Sequence, residues 1–587
     1  MASSSTPASS SSTFYPSYRT GLTVSTPEAA EHVVDSIGSN DTLTSLTIDS
    51  NALPLGLRGL TTAIDHNETL TKLSLLECHC LNNGYETELL ARTLTNNQNI
   101  TSLQLSLRTL FHSFLRLGPM AVEPLSLMLS RNSSLTHLDL RACNIGDHET
   151  GQLALALTTN STLRSLKLGA NSISDSGIEQ LLEAITVNTT LTDLGLNYNK
   201  FSDIGMQRIA TALRTNSILM NLNLSESHLR VGTGMEALTQ ALTTNSTLTM
   251  IDLSSCSLRN RGLEELGLAL RVNSTLSVLN LRENNSNRFA PNFDYIGAGH
   301  LFDSFAHNRT LTCVDLRNNN IGSTAATRLA QALATNSSIT DLDLFENNIS
   351  NSGLSSLALA LTSNSTLTRL DVGHNHIIGS DPRFAQVLGG VLNYANRGLD
   401  NPDAERPGIQ CLTEALKVNT VLTRLSLKEN TLLGSMADLA TILTHNTSLT
   451  SLDLSTCSMV DVSYGGPDDG AVLAYACEKN PTLRDLRMVG PGLGGLTPHS
   501  FERIHHSTAR NKRNNDLRSL TLLDLLLRSS QKEAFNHLPQ AVKNKVYESI
   551  WTLSGRPQGD LLFGEHHVFD SFSLFCAALE HAGITLH

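Results

Sequence analysis

Leucines and isoleucines along this chain recur in two alternating rhythms. Leu166-Lys167-Leu168 alternates apolar with polar and predicts a short strand that turns two side chains inward and one outward. Shortly afterwards Ile178, Leu181, Leu182 and Ile185 fall at i, i+3, i+4 and i+7, the apolar stripe of a helix, with Ser174-Asp175 placed to cap it. Then the strand rhythm begins again. The repeating phrase is N-x-[ST]-L-T-x-L-x-L-x-x-[NC]-x-[IL]. It is anchored at Asn40, Asn67, Asn97, Asn132, Asn160, Asn188, Asn216, Asn245, Asn273, Asn308, Asn336, Asn364, Asn419, Asn446 and Asn480, usually 27 to 29 residues apart. The apolar stripe of a single unit has nothing of its own to pack on, so the units must stack.

Asn171 closes the turn after the strand. Its carboxamide both donates and accepts, which suits it to satisfy backbone groups of its own turn and of the neighbouring one. The same position recurs as Asn51, Asn199, Asn284, Asn319, Asn347, Asn375 and Asn430, with Cys78, Cys143, Cys256 and Cys457 in other units. This motif resembles leucine-rich repeats, in particular the ribonuclease-inhibitor-like class, over roughly residues 22 to 495. The resemblance implies an α/β solenoid. Stacked strands need about 4.8 Å and packed helices about 8–10 Å, so the expected stack is a horseshoe with a parallel sheet on the concave face and helices on the convex one.

The expected organisation has four parts: a Ser/Thr-rich disordered leader over 1–21, a capping helix within 22–39, the repeat solenoid over 40–495, and a small all-α domain or cap over 496–587. Thr26-Pro27-Glu28 opens the capping helix. The leader, beginning MASSSTPASSSST, is similar to the export signal of a bacterial protein delivered into a host cell. In the C-terminal part, Leu538, Pro539, Val542, Val546 and Ile550 resemble the opening of an F-box helix, which implies an alternative role as a ubiquitin-ligase substrate adaptor. A capping helix would show the same spacing. Insertions lengthen four units, including an aromatic loop with Phe289, Phe293 and Tyr295 and a long segment over 378–410.

Charge and composition narrow the partners. The net charge of −12 argues against a nucleic acid, and no apolar run reaches the ~20 residues of a membrane span. From Glu502 to Lys545 nine basic residues face four acidic ones, and a solvated helical face is the expected reading. Eleven anchors form N-x-[ST] sequons, which suggests a chain that does not fold in the endoplasmic reticulum. No G-x-S-x-G, H-E-x-x-H or G-x-x-x-x-G-K-[ST] occurs, so no catalytic residue, cofactor or metal site is expected, and Cys576 lacks the C-x-D of a bacterial ubiquitin ligase. Cys78-His79-Cys80 and His566-His567 are the densest polar clusters, too poor in partners for a metal site. A hydrolase or transferase activity in 496–587 is the remaining third possibility.

Outward strand positions then become the candidate site. Acidic residues predominate between the paired leucines (Asp139, Asp252, Asp315, Asp343, Asp371, Asp453), and Arg141, Arg282, Arg317, Phe345 and Lys428 stand two residues later. The expected protein-binding face consists of Arg282, Glu283, Asp315, Arg317, Asp343, Phe345, Glu346, Asp371, His374 and Lys428. The expected function is a non-enzymatic, monomeric, cytoplasmic scaffold that binds a protein, in the manner of a bacterial effector acting on host proteins.

Overall fold

A computed structural model describes residues 21–49, 53, 57–77, 81, 84–105, 119–227, 232–258, 260–284, 295–379, 408–458, 469–488, 499–500 and 502–512. The leader up to residue 20, Cys78 to Cys80, Phe289, Phe293, most of the 378–410 insertion, the F-box-like segment, Cys576 and His566-His567 lie outside these residues, while Gly21, counted with the leader, opens a strand. The chain divides into two compact units, Met1–His376 and Ile377–His587.

In the first unit the strands are β1 (Gly21–Val24), β2 (Ser45–Asp49), β3 (Lys72–Leu76), β4 (Ser102–Gln104), β5 (His137–Asp139), β6 (Ser165–Lys167), β7 (Asp193–Gly195), β8 (Asn221–Asn223), β9 (Met250–Asp252), β10 (Val278–Asn280), β11 (Cys313–Asp315), β12 (Asp341–Asp343) and β13 (Arg369–Asp371). They lie side by side in chain order, all parallel, and a helix follows each of β1 to β12. Equivalent positions pair, so that Leu138, Leu166 and Leu194 form one continuous buried column. Most strands are three residues long because only the x-Leu-x core of the phrase alternates before the turn. The second unit repeats the arrangement with β14 (Arg424–Ser426), β15 (Ser451–Asp453) and β16 (Asp485–Arg487).

The helix Asp175–Val187 behaves as its stripe requires. Ile178, Leu181, Leu182 and Ile185 are buried, and Ser174 caps the N-terminus, its Oγ accepting from the Ser176 N–H. At the N-terminal end the capping helix Pro27–Ile37 forms as its Thr26-Pro27-Glu28 start predicts, with Thr26 as N-cap. The strand β1 before it was not expected, and it pairs with β2 through Leu22 and Leu46.

Two asparagine series hold successive repeats together. At the turn, Asn171 Oδ1 accepts from the Cys143 and Ile145 N–H groups, and its Nδ2 donates to Leu140 and Leu168 carbonyls at 2.9 and 3.0 Å. Asn199, Asn284 and Asn347 do the same one or more repeats along. Where cysteine replaces asparagine, Sγ makes the corresponding bond, from Cys143 to Leu105, Cys256 to Leu224 and Cys457 to Leu427. Burial raises all three thiols, Cys256 and Cys457 to about 12, so these cysteines are inert as nucleophiles at neutral pH.

The anchors form the second series. Asn160 Oδ1 accepts from the N–H groups of Thr162 and Leu163, while Nδ2 donates at 2.7 Å to the Leu129 carbonyl at the end of the preceding helix. The helical residues 502–512 carry this device further. Asn511 donates to the carbonyls of Asn480, the anchor of the preceding repeat, and of Leu483. Arg503, counted in the basic stretch, makes a bidentate pair with Glu478 at 2.7 and 2.8 Å and lowers the pKa of that carboxyl.

Removing the Asn171 amide would orphan buried donors and acceptors of two turns, at about 1–3 kcal/mol, and Leu166→Ala would open a cavity in the leucine column at about 2–5 kcal/mol. Both variants are therefore expected to unfold at lower urea concentration than the parent protein. Unchanged midpoints for both would refute the roles given to these side chains.

A candidate protein-binding face on the strands

Alternation places the residues flanking each buried leucine on the outer face of the sheet, and the turn decides what they do there. Asp315 Oδ1 accepts from the Arg317 N–H at 3.0 Å and Asp343 Oδ1 from the Phe345 N–H at 3.0 Å, and Asp139, Asp252, Asp371 and Asp453 each accept likewise from the residue two positions on. Asn223 and Asn280 make the same bond. The acidic column is thus first a column of turn caps, which explains why aspartate and asparagine alternate in it. Only the oxygen that the cap leaves over is available to face outward. The signal was present in the sequence as the Asp/Asn interchange, which charge counting passes over.

The third residue after the cap is held at positive φ in repeat after repeat: Glu283 at 59°, Glu346 at 57°, His374 at 50° and Glu429 at 60°. This turn orients the outermost side chains of the candidate face.

Of the expected residues, all but Lys428 belong to the first unit. Lys428 lies after β14 in the second. Arg282 is exposed and paired with Glu283 at 2.5 Å. Arg317 grips Asp315 at 2.5 Å and approaches Asp343 at 3.5 Å, bridging β11 and β12. The Phe345 and His374 rings lie with centroids 6.0 Å apart, and His376 continues the row 6.2 Å beyond. Asp371 is buried at 7% exposure, its neighbours closing over it, so it contributes charge to the face but little contact surface. Two groups were missed: Arg369 and Asp341, paired at 3.0 Å across β12 and β13. They occupy the first strand position, which alternation also turns outward.

Asp343 is the perturbed group of this face. Burial pushes its carboxyl up to about 6, the nearby charges of Asp371 and Asp315 add to the rise, and the Phe345 N–H and Arg317 oppose it. Among the described residues no group of His, Cys, Asp and Glu could hold a metal ion, and no helix is long and apolar enough to cross a membrane.

The repeat geometry agrees with comparisons to known proteins. The profile described as "Leucine Rich repeat" matches residues 131–148, 159–182, 187–210, 244–267, 307–330, 335–358, 363–381 and 445–461. The chain carries leucine-rich repeats. Its fold is a leucine-rich-repeat solenoid of the α/β type. Among solved structures it is similar to the leucine-rich repeat-containing protein LegL7 from Legionella pneumophila, at 18% identity over 61% of this chain and 94% of that one, with a TM-score of 0.33. It is also similar to leiomodin-1 actin-binding site 2, at 20% identity over 23% of this chain and 78% of that one, with a TM-score of 0.22. Neither likeness bears on the partner of this chain. No curated protein matches the sequence.

Asp343→Asn retains the turn cap, as Asn223 and Asn280 show, and removes a charge that the folded state disfavours. Since the folded pKa lies above the ordinary value of 3.8, ionisation of Asp343 destabilises the fold fully above about pH 6, and the effect disappears as pH falls towards 3.8. The Asn variant is expected to melt at or above the parent at neutral pH, with the difference shrinking on acidification. Asp343→Ala loses the cap and melts lower. An Asn variant as unstable as the Ala variant at neutral pH would contradict this account.

Proposed function

We propose that this repeat protein is a non-enzymatic scaffold of the ribonuclease-inhibitor-like class that binds a protein partner through the outer face of its strands. The observation that carries the reading is the face formed by β10 to β13. There Arg282, Arg317, Phe345 and His374 come from successive strands spaced about 4.8 Å apart, and backbone caps fix their directions before any partner arrives. Arginine and aromatic side chains anchor interfaces, and ordering them in advance reduces what binding must immobilise. The sequence reading of a concave sheet adds to this, since such a face surrounds a partner.

Replacing Arg317 and Phe345 together by Ala is expected to weaken capture of the main partner by more than about tenfold, ~1.4 kcal/mol, while the melt stays cooperative. Glu179→Ala with Gln180→Ala, on the helix Asp175–Val187, should have little effect. Equal capture by all three proteins would move the binding site off this face.

The second part of the proposal concerns where the protein works. Of the eleven repeat anchors that form sequons, ten are buried: Asn67, Asn132, Asn160, Asn188, Asn245, Asn273, Asn308, Asn336, Asn364 and Asn446. Each donates its Nδ2 to a carbonyl of the preceding repeat, as Asn188 does to Leu157 at 2.8 Å and Asn336 to Phe305 at 2.7 Å. A glycan on that nitrogen would displace the bond and could not be accommodated in the stack. We therefore place the protein in a non-glycosylating compartment, as a bacterial effector that acts in the cytosol of a host cell.

Expressed in the cytosol of a eukaryotic cell, the chain should fold without glycans. Fused to a secretory signal peptide, it should acquire glycans and be retained as misfolded protein. Secretion of a glycosylated form with the parent melting curve would overturn this placement.

A further inference from the structure

Ser227 stands in the turn after β8, at the position that Asn199 holds one repeat earlier and Cys256 one repeat later. Asn199 crosses to the repeat before it twice. Its Nδ2 donates to the Leu168 carbonyl at 2.9 Å, and its Oδ1 accepts from the Ile173 N–H at 3.1 Å. Cys256 also reaches back, its Sγ donating to the Leu224 carbonyl at 3.2 Å. Ser227 is 1% exposed, and its Oγ has no hydrogen-bond partner among the described residues. The Leu196 carbonyl and the Phe201 N–H, the groups that an amide here would serve, therefore receive nothing from the Ser227 side chain.

The anchor series is weakened at the same place. Asn216, ahead of β8, donates to the Ile185 carbonyl at 3.2 Å, whereas Asn188 and Asn245 on either side make the corresponding bond at 2.8 Å. Asn188 bonds in addition to the carbonyl of the previous anchor, Asn160, at 3.0 Å, and Asn216 makes no such bond to Asn188. Between the two turns lies a small cavity of about 10 Å³, lined by Leu182, Ile185, Leu194, Ile209 and Leu213 among others, with Asn216 at its border. Side chains beside a void forgo the contacts that close packing gives. The strands themselves stay paired in the common register, with the Leu196 N–H donating to Asn223 at 2.8 Å and the Tyr198 N–H to Ser225 at 2.9 Å.

The stability of a repeat stack is close to a sum of terms from each unit and from each contact between neighbours. One contact is here reduced at both turns and in the core between them, and what joins β7 to β8 is mainly backbone pairing. We propose that this seam is a hinge: the stack parts reversibly between β7 and β8 while the repeats on either side stay folded. The strand face changes its bend there without the unfolding of any repeat, an opening that costs less than loss of the whole fold.

Native-state hydrogen exchange of the full chain, read amide by amide, tests this. The N–H groups that cross the seam are those of Leu196, Tyr198, Met220 and Asn221; their counterparts one repeat earlier are Leu168, Ala170, Thr192 and Asp193. After correction for intrinsic rates, the seam amides are expected to exchange at least about fivefold faster than the counterparts. Ser227→Asn supplies the missing amide and should slow the seam amides by about fivefold, the equivalent of one buried hydrogen bond, leaving the counterparts unchanged. Asn171→Ser should create a second seam, speeding exchange at Leu140, Ala142, Arg164 and Ser165 between β5 and β6 without altering Leu196 or Tyr198. Equal exchange across β6–β7 and β7–β8 in the parent protein would overturn the proposal, and this comparison needs no variant. So would seam amides that ignore Ser227→Asn in a variant whose thermal melt shows it folded.

Discussion

The side-chain amide of asparagine is the constraint on which the rest of this structure depends. A unit of some 28 residues turns its backbone sharply at both ends of a three-residue strand, and each turn buries N–H and C=O groups that no strand or helix satisfies. Asn171 and its equivalents serve the turn after the strand, while Asn160 and its equivalents serve the turn before it. Each amide bonds both to its own unit and to the one before, so the same groups that close a turn also join neighbouring repeats. Leucine columns then provide the bulk of burial, at about 1.5–3 kcal/mol per side chain, but the amides set the register in which those columns form.

This arrangement limits what the strand face can be. The aspartates that make it acidic are engaged as caps, so from β5 to β15 the position holds Asp or Asn except at Lys167, Gly195 and Ser426. Freedom to acquire a binding function lies in the residue two positions later and in the one held at positive φ after that. These are the positions of Arg282, Arg317, Phe345, Glu346 and His374, and there the composition changes most sharply from strand to strand. A scaffold of this kind separates folding from recognition within a stretch of five residues.

The same bonds bear on the cell in which the protein works. A sequon asparagine whose Nδ2 is buried and donating is a structural residue first, and ten of the repeat anchors are of this kind. The cysteines in the turn series behave similarly: buried, raised in pKa and bonded to a carbonyl, they substitute for asparagine in the turn.

Within the repeats, strands, helices and their order were determined by local patterning alone, because a period of two followed by a period near 3.6 leaves no other assignment for Leu166-Lys167-Leu168 and Ile178 to Ile185, whereas β1, ahead of the first anchor, was not. The sequence also determined the Asn171 turn role, since its spacing and donor–acceptor chemistry are both local. What the tertiary structure decided is everything that depends on a neighbour 28 or so residues away. It made Asp371 a buried cap rather than a contact residue, and paired Arg369 with Asp341. It also raised Asp343, first through burial and then through the charges of Asp371 and Asp315, and brought Asn511 against the carbonyls of Asn480 and Leu483. Charge, burial and pairing on a sheet are properties of adjacent strands, and adjacency is fixed only when the repeats stack.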